Sequence, residues 1–285
     1  MRVAFATCSA LPEGFEDDHP AAELLAAEYQ VWDDPAVDWQ AYDRVVVRST
    51  WDYTPRRADF VAWAHRVGPE RLRNPPALVE SNADKTYLRD LGVPTVPTRF
   101  VAPGDPVPPL AGEVVVKPTV SAGGRDTGRF GQSVHADATA LVEAINASGR
   151  TAMVQPYLPG VDRDGETALV FLGGRFSHAL HKKPVLRGSG IAPLAGDGDY
   201  AAAAVMFDPD LVTAGTASAA QVALAERVVA SLTGRFGTPV YVRVDLVPGP
   251  TGEPVVIEVE AVEPCLYLAT APGAAERLVA AVRAS

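Results

Sequence analysis

Two stretches near the C-terminus, Val240–Val247 (VYVRVDLV) and Pro254–Val262 (PVVIEVEAV), constrain the fold more than any other part of the chain. β-Branched and aromatic residues dominate both, and the turn-rich GPTGE joins them, so they read as two strands. Side chains alternate faces along a strand, which puts Arg243 with Asp245 on one face and Glu258 with Glu260 on one face. The rest of each pattern is Val, Ile and Tyr and belongs in a core. Buried carboxylates are costly unless they are paired or bound to metal. If the two strands are neighbours, three carboxylates and one arginine converge. An ion-pair ladder resting on Arg243 alone leaves carboxylates uncompensated. Magnesium removes the conflict, because it prefers oxygen ligands, takes few protein carboxylates and completes its shell with waters and phosphates. Asp245, Glu258 and Glu260 are therefore candidate metal ligands.

A second stretch, Val114–Phe130 (VVVKPTVSAGGRDTGRF), opens as a buried strand and runs into small residues, Ser121, Ala122, Gly123 and Gly124. Small residues let the backbone approach a ligand, and consecutive N–H groups can ring a phosphate. Lys117 at the strand end can add a point charge. Taken alone, the stretch is equally an ordinary glycine hairpin, since it lacks the spacing of a P-loop or a dinucleotide fingerprint. Ser81–Lys85 reads as the start of a helix through Leu91, capped by Ser81 or Asn82 and stopped by Gly92, Pro94 and Pro97. Lys85 then opposes the helix dipole, a conflict that a shared anion would remove.

Residues 2–7 and 44–48 read as strands, 21–28 as a helix and Tyr29–Trp32 as extended, an alternation that points to a parallel sheet. The connection before Tyr29 is shorter than such a unit leads one to expect. Arg48, Ser49 and Thr50 lie at the carboxyl end of a strand, where open α/β sheets bind ligands, and Arg48 could grip a carboxylate. Trp51 there is equally a packing anchor. Asp17 and Asp18 fall on the same edge and could meet an amino group or simply be solvated. Ala58–Val67 is a helix whose His65 has no evident partner. Arg73–Ala77 breaks structure and marks a boundary. Residues 113–155 read as a small α+β unit with a helix over 137–146. Gln155–Gly160 is a proline-rich hinge, followed by a hairpin of Thr167–Leu172 and Arg175–His181. His178 and His181 are sheet residues. Leu186–Tyr200 is glycine-rich and expected to be a mobile loop. Helices follow over 217–236, with Val222, Ala225, Val229 and Leu232 on one face, and over Ala274–Ala284. Three units result: 1–76, an α/β substrate domain; 77–155, a lid with the lysines and glycine loop; and 156–285, the catalytic and metal-binding part.

A net charge of −10 argues against nucleic acid and anionic membrane as partners. Cys8 and Cys265 stand far apart, with neither zinc spacing nor a disulfide framework, which suits a reduced, cytoplasmic protein. No segment has the length and apolarity of a membrane span.

In this order, these features make the chain resemble the ATP-grasp superfamily of carboxylate ligases over essentially its whole length. The resemblance implies an α/β fold of three subdomains, with the nucleotide between a small α+β lid and a larger C-terminal sheet domain. It implies ATP and Mg2+ as cofactors. Lys85 and Lys117 then match the phosphate-binding lysines, and Ser121, Gly123 and Gly124 the loop over the phosphates. Gln155, Pro156, Tyr157 and Leu158 match the adenine hinge, and Asp162 the ribose-binding acid. Arg243 matches the residue that stabilises transferred phosphate, Asp245 a magnesium ligand and Glu258 the bridging glutamate. Glu260 departs from the family's Glu-x-Asn. The stretches WDDPAVDW, VVVRSTWDY and EVEAVEPCLYL resemble a branch of glutathione-synthetase-like and antibiotic-pathway ligases, with the cycloserine-forming ligases the nearest fit. The resemblance implies a small amino-acid-like carboxylate, O-ureido-D-serine, activated as an acyl phosphate and closed into a ring. It also implies a homodimer, which small ligases of this kind often form. Intermolecular peptide-type ligation is the alternative within the class, and a nucleotide sensor without turnover is the alternative outside it.

Overall fold

A computed structural model describes residues 1–186, 188–195, 202, 203, 206, 208 and 210–285. The first sheet is parallel, with β1 (Val3–Thr7), β2 (Glu28–Val31), β3 (Arg44–Ser49) and β4 (Leu72–Arg73) in the order 2-1-3-4. Its first crossover is short because α1 (His19–Leu25) ends early. Ala26 turns into the left-handed region (φ 49°), Ala27 N–H bonds back to Ala22 O at 2.8 Å, and β2 begins at the next residue. The helix expected to reach Glu28 is thus replaced by a tight C-terminal turn. The next helix, α2 (Arg57–Val67), buries Phe60, Trp63, Ala64 and Val67, and its exposed His65 does have a partner, Glu80 at 2.8 Å.

The helix expected from Ser81 runs instead from Pro76 to Asn82 (α3), with proline in its first turn. Ser81 and Asn82 end it rather than cap it. Lys85 opens a separate 3-10 segment, Lys85–Asp90, capped by the Asp84 side chain on Thr86 N–H at 3.0 Å. Asn74, fully buried, joins the first sheet to the last: it bonds Val240 N (2.7 Å), Tyr241 O (2.8 Å) and Ala261 O (2.9 Å). Asn74→Ala strands these three backbone groups in the core and is expected to remove about 3 kcal/mol of stability, read by urea unfolding. Wild-type stability in that variant would exclude Asn74 as the join.

Residues 99–156 supply β5 (Arg99–Val101), β6 (Val114–Pro118), β7 (Gly128–Phe130), α4 (His135–Ala147) and β8 (Ala152–Pro156). The remainder supplies α5 (Gly160–Asp164), β9 (Glu166–Leu172), β10 (Arg175–Lys182), β11 (Gly190–Ile191), β12 (Leu194–Ala195), β13 (Ala202–Ala203), β14 (Val212–Gly215), α6 (Ala219–Phe236), β15 (Tyr241–Pro248), β16 (Pro254–Glu260) and α7 (Ala274–Ala284). One antiparallel sheet has the order β11-β7-β6-β8-β5 and another the order β14-β10-β9-β15-β16, and β12 pairs with β13 alone. The segment expected to be a mobile loop therefore returns a strand, β11, to the sheet of the glycine loop. Residues 187 and 196–200 of that segment lie outside the described residues.

Packing fixes how the sheets face one another. Val3, Phe5 and Val46 meet Val170, Leu180 and Tyr241 through a layer containing Leu25 of α1 and Leu278 of α7. The opposite face of the last sheet is covered by α6 and the 3-10 segment, through Leu88, Leu224, Val228 and Val244. The buried stripe of α6 is Leu224, Ala225, Val228, Val229 and Leu232, with Val222 only at its edge. No helix among the described residues is long and apolar enough to cross a membrane.

Candidate active site

The two C-terminal strands are neighbours, antiparallel, with Arg243 opposite Glu260 and Asp245 opposite Glu258. A bulge follows at once: Leu246 pairs with Val256, which leaves Ile257 extra. Bulges re-aim side chains, and here Ile257, Glu258, Val259 and Glu260 all border one cavity of about 920 Å³. Lys85, Lys117, Ser121, Gly123, Gly124, the hinge Gln155–Leu158 and Arg243 border it as well.

The expectation that one arginine would leave the acids uncompensated is corrected by the structure. Four cations converge. Arg243 binds Asp245 (2.8 Å) and Glu260, Lys182 binds Asp245 (2.6 Å) and Glu166 (2.9 Å), and Lys85 and Lys117 reach Glu258 at 3.1 and 4.0 Å. Among the described residues, no group of three or more acids, histidines or cysteines stands ready to hold a metal. Burial works against the Asp245 carboxylate, yet Arg243 and Lys182 hold it below the usual range. Burial also works against Glu258, and Lys85 and Lys117 likewise hold it down. Glu260 moves the other way, to about 7, because burial and the charges of Asp245 and Glu258 outweigh Arg243.

Lys85 also donates to Ser121 O at 2.8 Å, and its N–H bonds Thr119 O, so the 3-10 segment is tied to the glycine loop at both ends of the lysine. Gly123 and Gly124 have φ of 61° and 69°, where a side chain is strained, and a Cβ on Gly123 would come within 2.7 Å of Ala202. In the hinge, Gln155 donates to Thr98 Oγ1 at 2.8 Å, and Pro156, Tyr157 and Leu158 border the cavity. Val96, Val247 and Ile257, which pack in one apolar cluster with Leu158 of the hinge, border the cavity too.

Other expected site residues stand elsewhere. Asp245 does not border the cavity; it is sealed behind Arg243 and Lys182. Asp162 does not border it and instead accepts from Tyr157 Oη and Arg129 at 2.5 and 2.9 Å. Arg48, Ser49 and Thr50 are buried and do not border it. Arg48 pairs with Asp18 at 2.8 Å, donates to Pro264 O at 2.9 Å and lies over the Tyr241 ring. Ser49 Oγ bonds Thr7 Oγ1 at 2.9 Å. Trp51 is both anchor and cavity wall, since it donates to Glu263 O at 2.9 Å. The sequence reading missed Lys182, Glu166, Tyr53 and Glu263. For the first two a signal existed: Lys182 and Glu166 close the hairpin as a cross-strand pair.

The family described as D-cycloserine synthetase DcsG, N-terminal domain, matches residues 3–74. A curated relative, cycloserine biosynthesis protein DcsG of Streptomyces lavendulae, is 36% identical over 275 residues, spanning 90% of this chain and 88% of that protein. The crystal structure of D-cycloserine synthetase DcsG superposes with a TM-score of 0.86 at 34% identity, covering 99% and 98% of the two chains. At the level of fold alone, a RimK-domain ATP-grasp protein of Sphaerobacter thermophilus matches with a TM-score of 0.64 at 18% identity, covering 99% of each chain. The D-alanine–D-alanine ligase of Bacillus anthracis complexed with ATP matches with 0.61 at 12%, covering 100% of this chain and 96% of that one. With a third of its residues shared along nine-tenths of its length, and with lysines, glycine loop and acidic strands gathered around one cavity, the chain belongs to the DcsG family of ATP-grasp ligases.

Proposed function

We propose that this ligase closes O-ureido-D-serine into D-cycloserine, using ATP with magnesium. The observation that carries the reading is the meeting of Lys85 and Lys117, from separate segments, over Glu258 in the cavity that the glycine loop borders. The similarity to D-cycloserine synthetase supports the substrate.

In this reading the adenine lies against the hinge and the apolar cluster of Val96, Val247 and Ile257 beside it. The phosphates lie under Ser121–Gly124, with Lys85 and Lys117 as counter-charges. The substrate carboxylate oxygen attacks the γ-phosphorus and ADP leaves. Arg243, fixed by Asp245 and by Cys265 O at 3.0 Å, presents an immobile positive charge to the phosphoryl oxygens. The ureido nitrogen then attacks the acyl carbon, phosphate departs and the ring closes; water removes the carbamoyl group. Closure of the sheet that carries the glycine loop excludes water from the acyl phosphate meanwhile.

The donor set fits magnesium. Glu258 and Glu260 bring only carboxylate oxygens to the cavity wall, with Asp245 behind them. Bound there, magnesium would neutralise phosphate charge as the lysines turn from Glu258 to the nucleotide.

ADP release measured on O-ureido-D-serine alone is the test. Turnover with a ring product is expected. Release only after an amine acceptor is added would sink the cyclisation and favour peptide-type ligation.

A further inference from the structure

Two motifs remain outside the phosphoryl-transfer machinery, Trp51-Asp-Tyr53 and Glu263-Pro-Cys-Leu-Tyr267, and the fold brings them together on one cavity wall. The second is irregular backbone, yet it is fixed residue by residue. The carbonyls of Glu263, Pro264, Cys265 and Leu266 each accept from a side chain of a different element: Trp51 (2.9 Å), Arg48 (2.9 Å), Arg243 (3.0 Å) and His178 (2.8 Å). Loop carbonyls ordinarily go to water; four consecutive ones held by protein donors describe a wall built to aim something.

What it aims is the Glu263 carboxylate. Glu263 borders the cavity and accepts from the hydroxyl of Tyr53, itself buried. Among the described residues, no lysine or arginine lies within ion-pair distance of it. The cation nearest in charge terms, Lys85, is committed to Glu258 and to Ser121 O. Glu260 and Glu258, its other charged neighbours, repel it. Burial and these neighbours push its carboxyl up to about 8. A fixed acid that faces a ligand cavity and lacks a counter-ion is a seat for a cation on the ligand.

We infer that Glu263 is the anionic subsite that takes the substrate's α-ammonium group, with Tyr53 orienting it and Trp51 and Arg48 positioning its backbone. The inference rests on the reading of this cavity as the place where an amino-acid carboxylate is activated. It makes Glu263 a specificity residue: the carboxylate of the substrate goes to the phosphoryl end and the ammonium to Glu263, so that acids without an amino group are rejected.

The test compares O-ureido-D-serine with its des-amino analogue, 3-(ureidooxy)propanoate, in ADP release by the wild type and by Glu263→Gln. The variant is expected to raise KM for the amino acid about 10- to 100-fold, the range for a hydrogen bond to a charged group, with KM for ATP unchanged. KM for the des-amino analogue should not rise, so the preference for the amino group collapses. A folded variant that keeps the wild-type preference overturns the inference. Glu263→Asp, which keeps the charge but withdraws it, serves as the second variant. It should raise KM for the amino acid alone, and an equal effect on both compounds, or none, overturns the assignment even if Glu263→Gln fails to fold. The ratio is read on whichever amino acid supports ADP release. Silence on O-ureido-D-serine therefore strikes the substrate assignment, whereas an unchanged ratio strikes the subsite.

Discussion

Replacing Glu258 by glutamine is expected to slow ADP release by roughly a thousandfold, the loss typical when one preorganised charge is removed from a reacting centre. The substitution keeps shape and volume and deletes only charge. Glu258 sits where three charged residues meet: it is opposite Asp245 on β15, it binds Lys85 at 3.1 Å and it lies 4.0 Å from Lys117. Lys85 is 8% exposed, and Glu258 heads the charges that hold its ammonium above the ordinary range against burial. Lys117 is equally buried, and burial already pulls it below that range despite Glu258. Without the carboxylate both lysines lose their main counter-charge, so their protonation and placement suffer together with any metal ligation. Measured by a coupled ADP assay, with thermal midpoint and ATP binding followed in parallel, the variant should stay folded while turnover falls. Activity within tenfold of wild type would remove Glu258 from the centre of the site.

Much of that centre was legible in the sequence because it rests on short-range rules. Alternation along VYVRVDLV and PVVIEVEAV sets which residues share a face, and the valine-rich background marks that face as buried. Pairing of the two strands needs only the GPTGE turn. The glycine loop was legible for a similar reason, since Gly123 and Gly124 occupy backbone conformations that other residues rarely adopt. Harder to see was what arrives from a distance. Lys182 enters the cluster because β10 and β15 flank β9, and no local pattern states that order. Local pattern therefore shows Arg243 as the cation beside the acids, whereas the strand order adds Lys182 to them. The boundary of α3 is hidden in the sequence for another reason. Pro75 and Pro76 look like breakers, but proline fits the first helical turn, where its missing N–H is not needed. Glu263 carried no periodic signal at all, because it lies in backbone that belongs to neither strand nor helix and is held by side chains from elsewhere.

The second large effect concerns Arg48, whose strand-end position suggests a grip on the substrate carboxylate. The structure gives it a different task. Its side chain is 1% exposed, it is paired with Asp18 at 2.8 Å, and its other bond, to Pro264 O, holds the segment that carries Glu263. Burial disfavours the guanidinium, but Asp18, with Tyr241 and Asp17, keeps its pKa above the ordinary value. Removing one member of a buried pair leaves the other uncompensated, at a cost of about 3–5 kcal/mol. Arg48→Met should therefore lower the thermal midpoint by roughly 5–15 °C in a chain of this size. Arg48→Met combined with Asp18→Asn should recover part of that loss, because no unpaired charge remains in the core. The two readings separate cleanly. A positioning residue gives a large loss of stability, a partial rescue in the double variant and a change in turnover that follows the displacement of Glu263. A substrate-gripping residue gives a raised KM in a protein as stable as wild type. That last pattern would restore Arg48 to the substrate site and oblige the Glu263 segment to be held in place by Trp51, Arg243 and His178 alone.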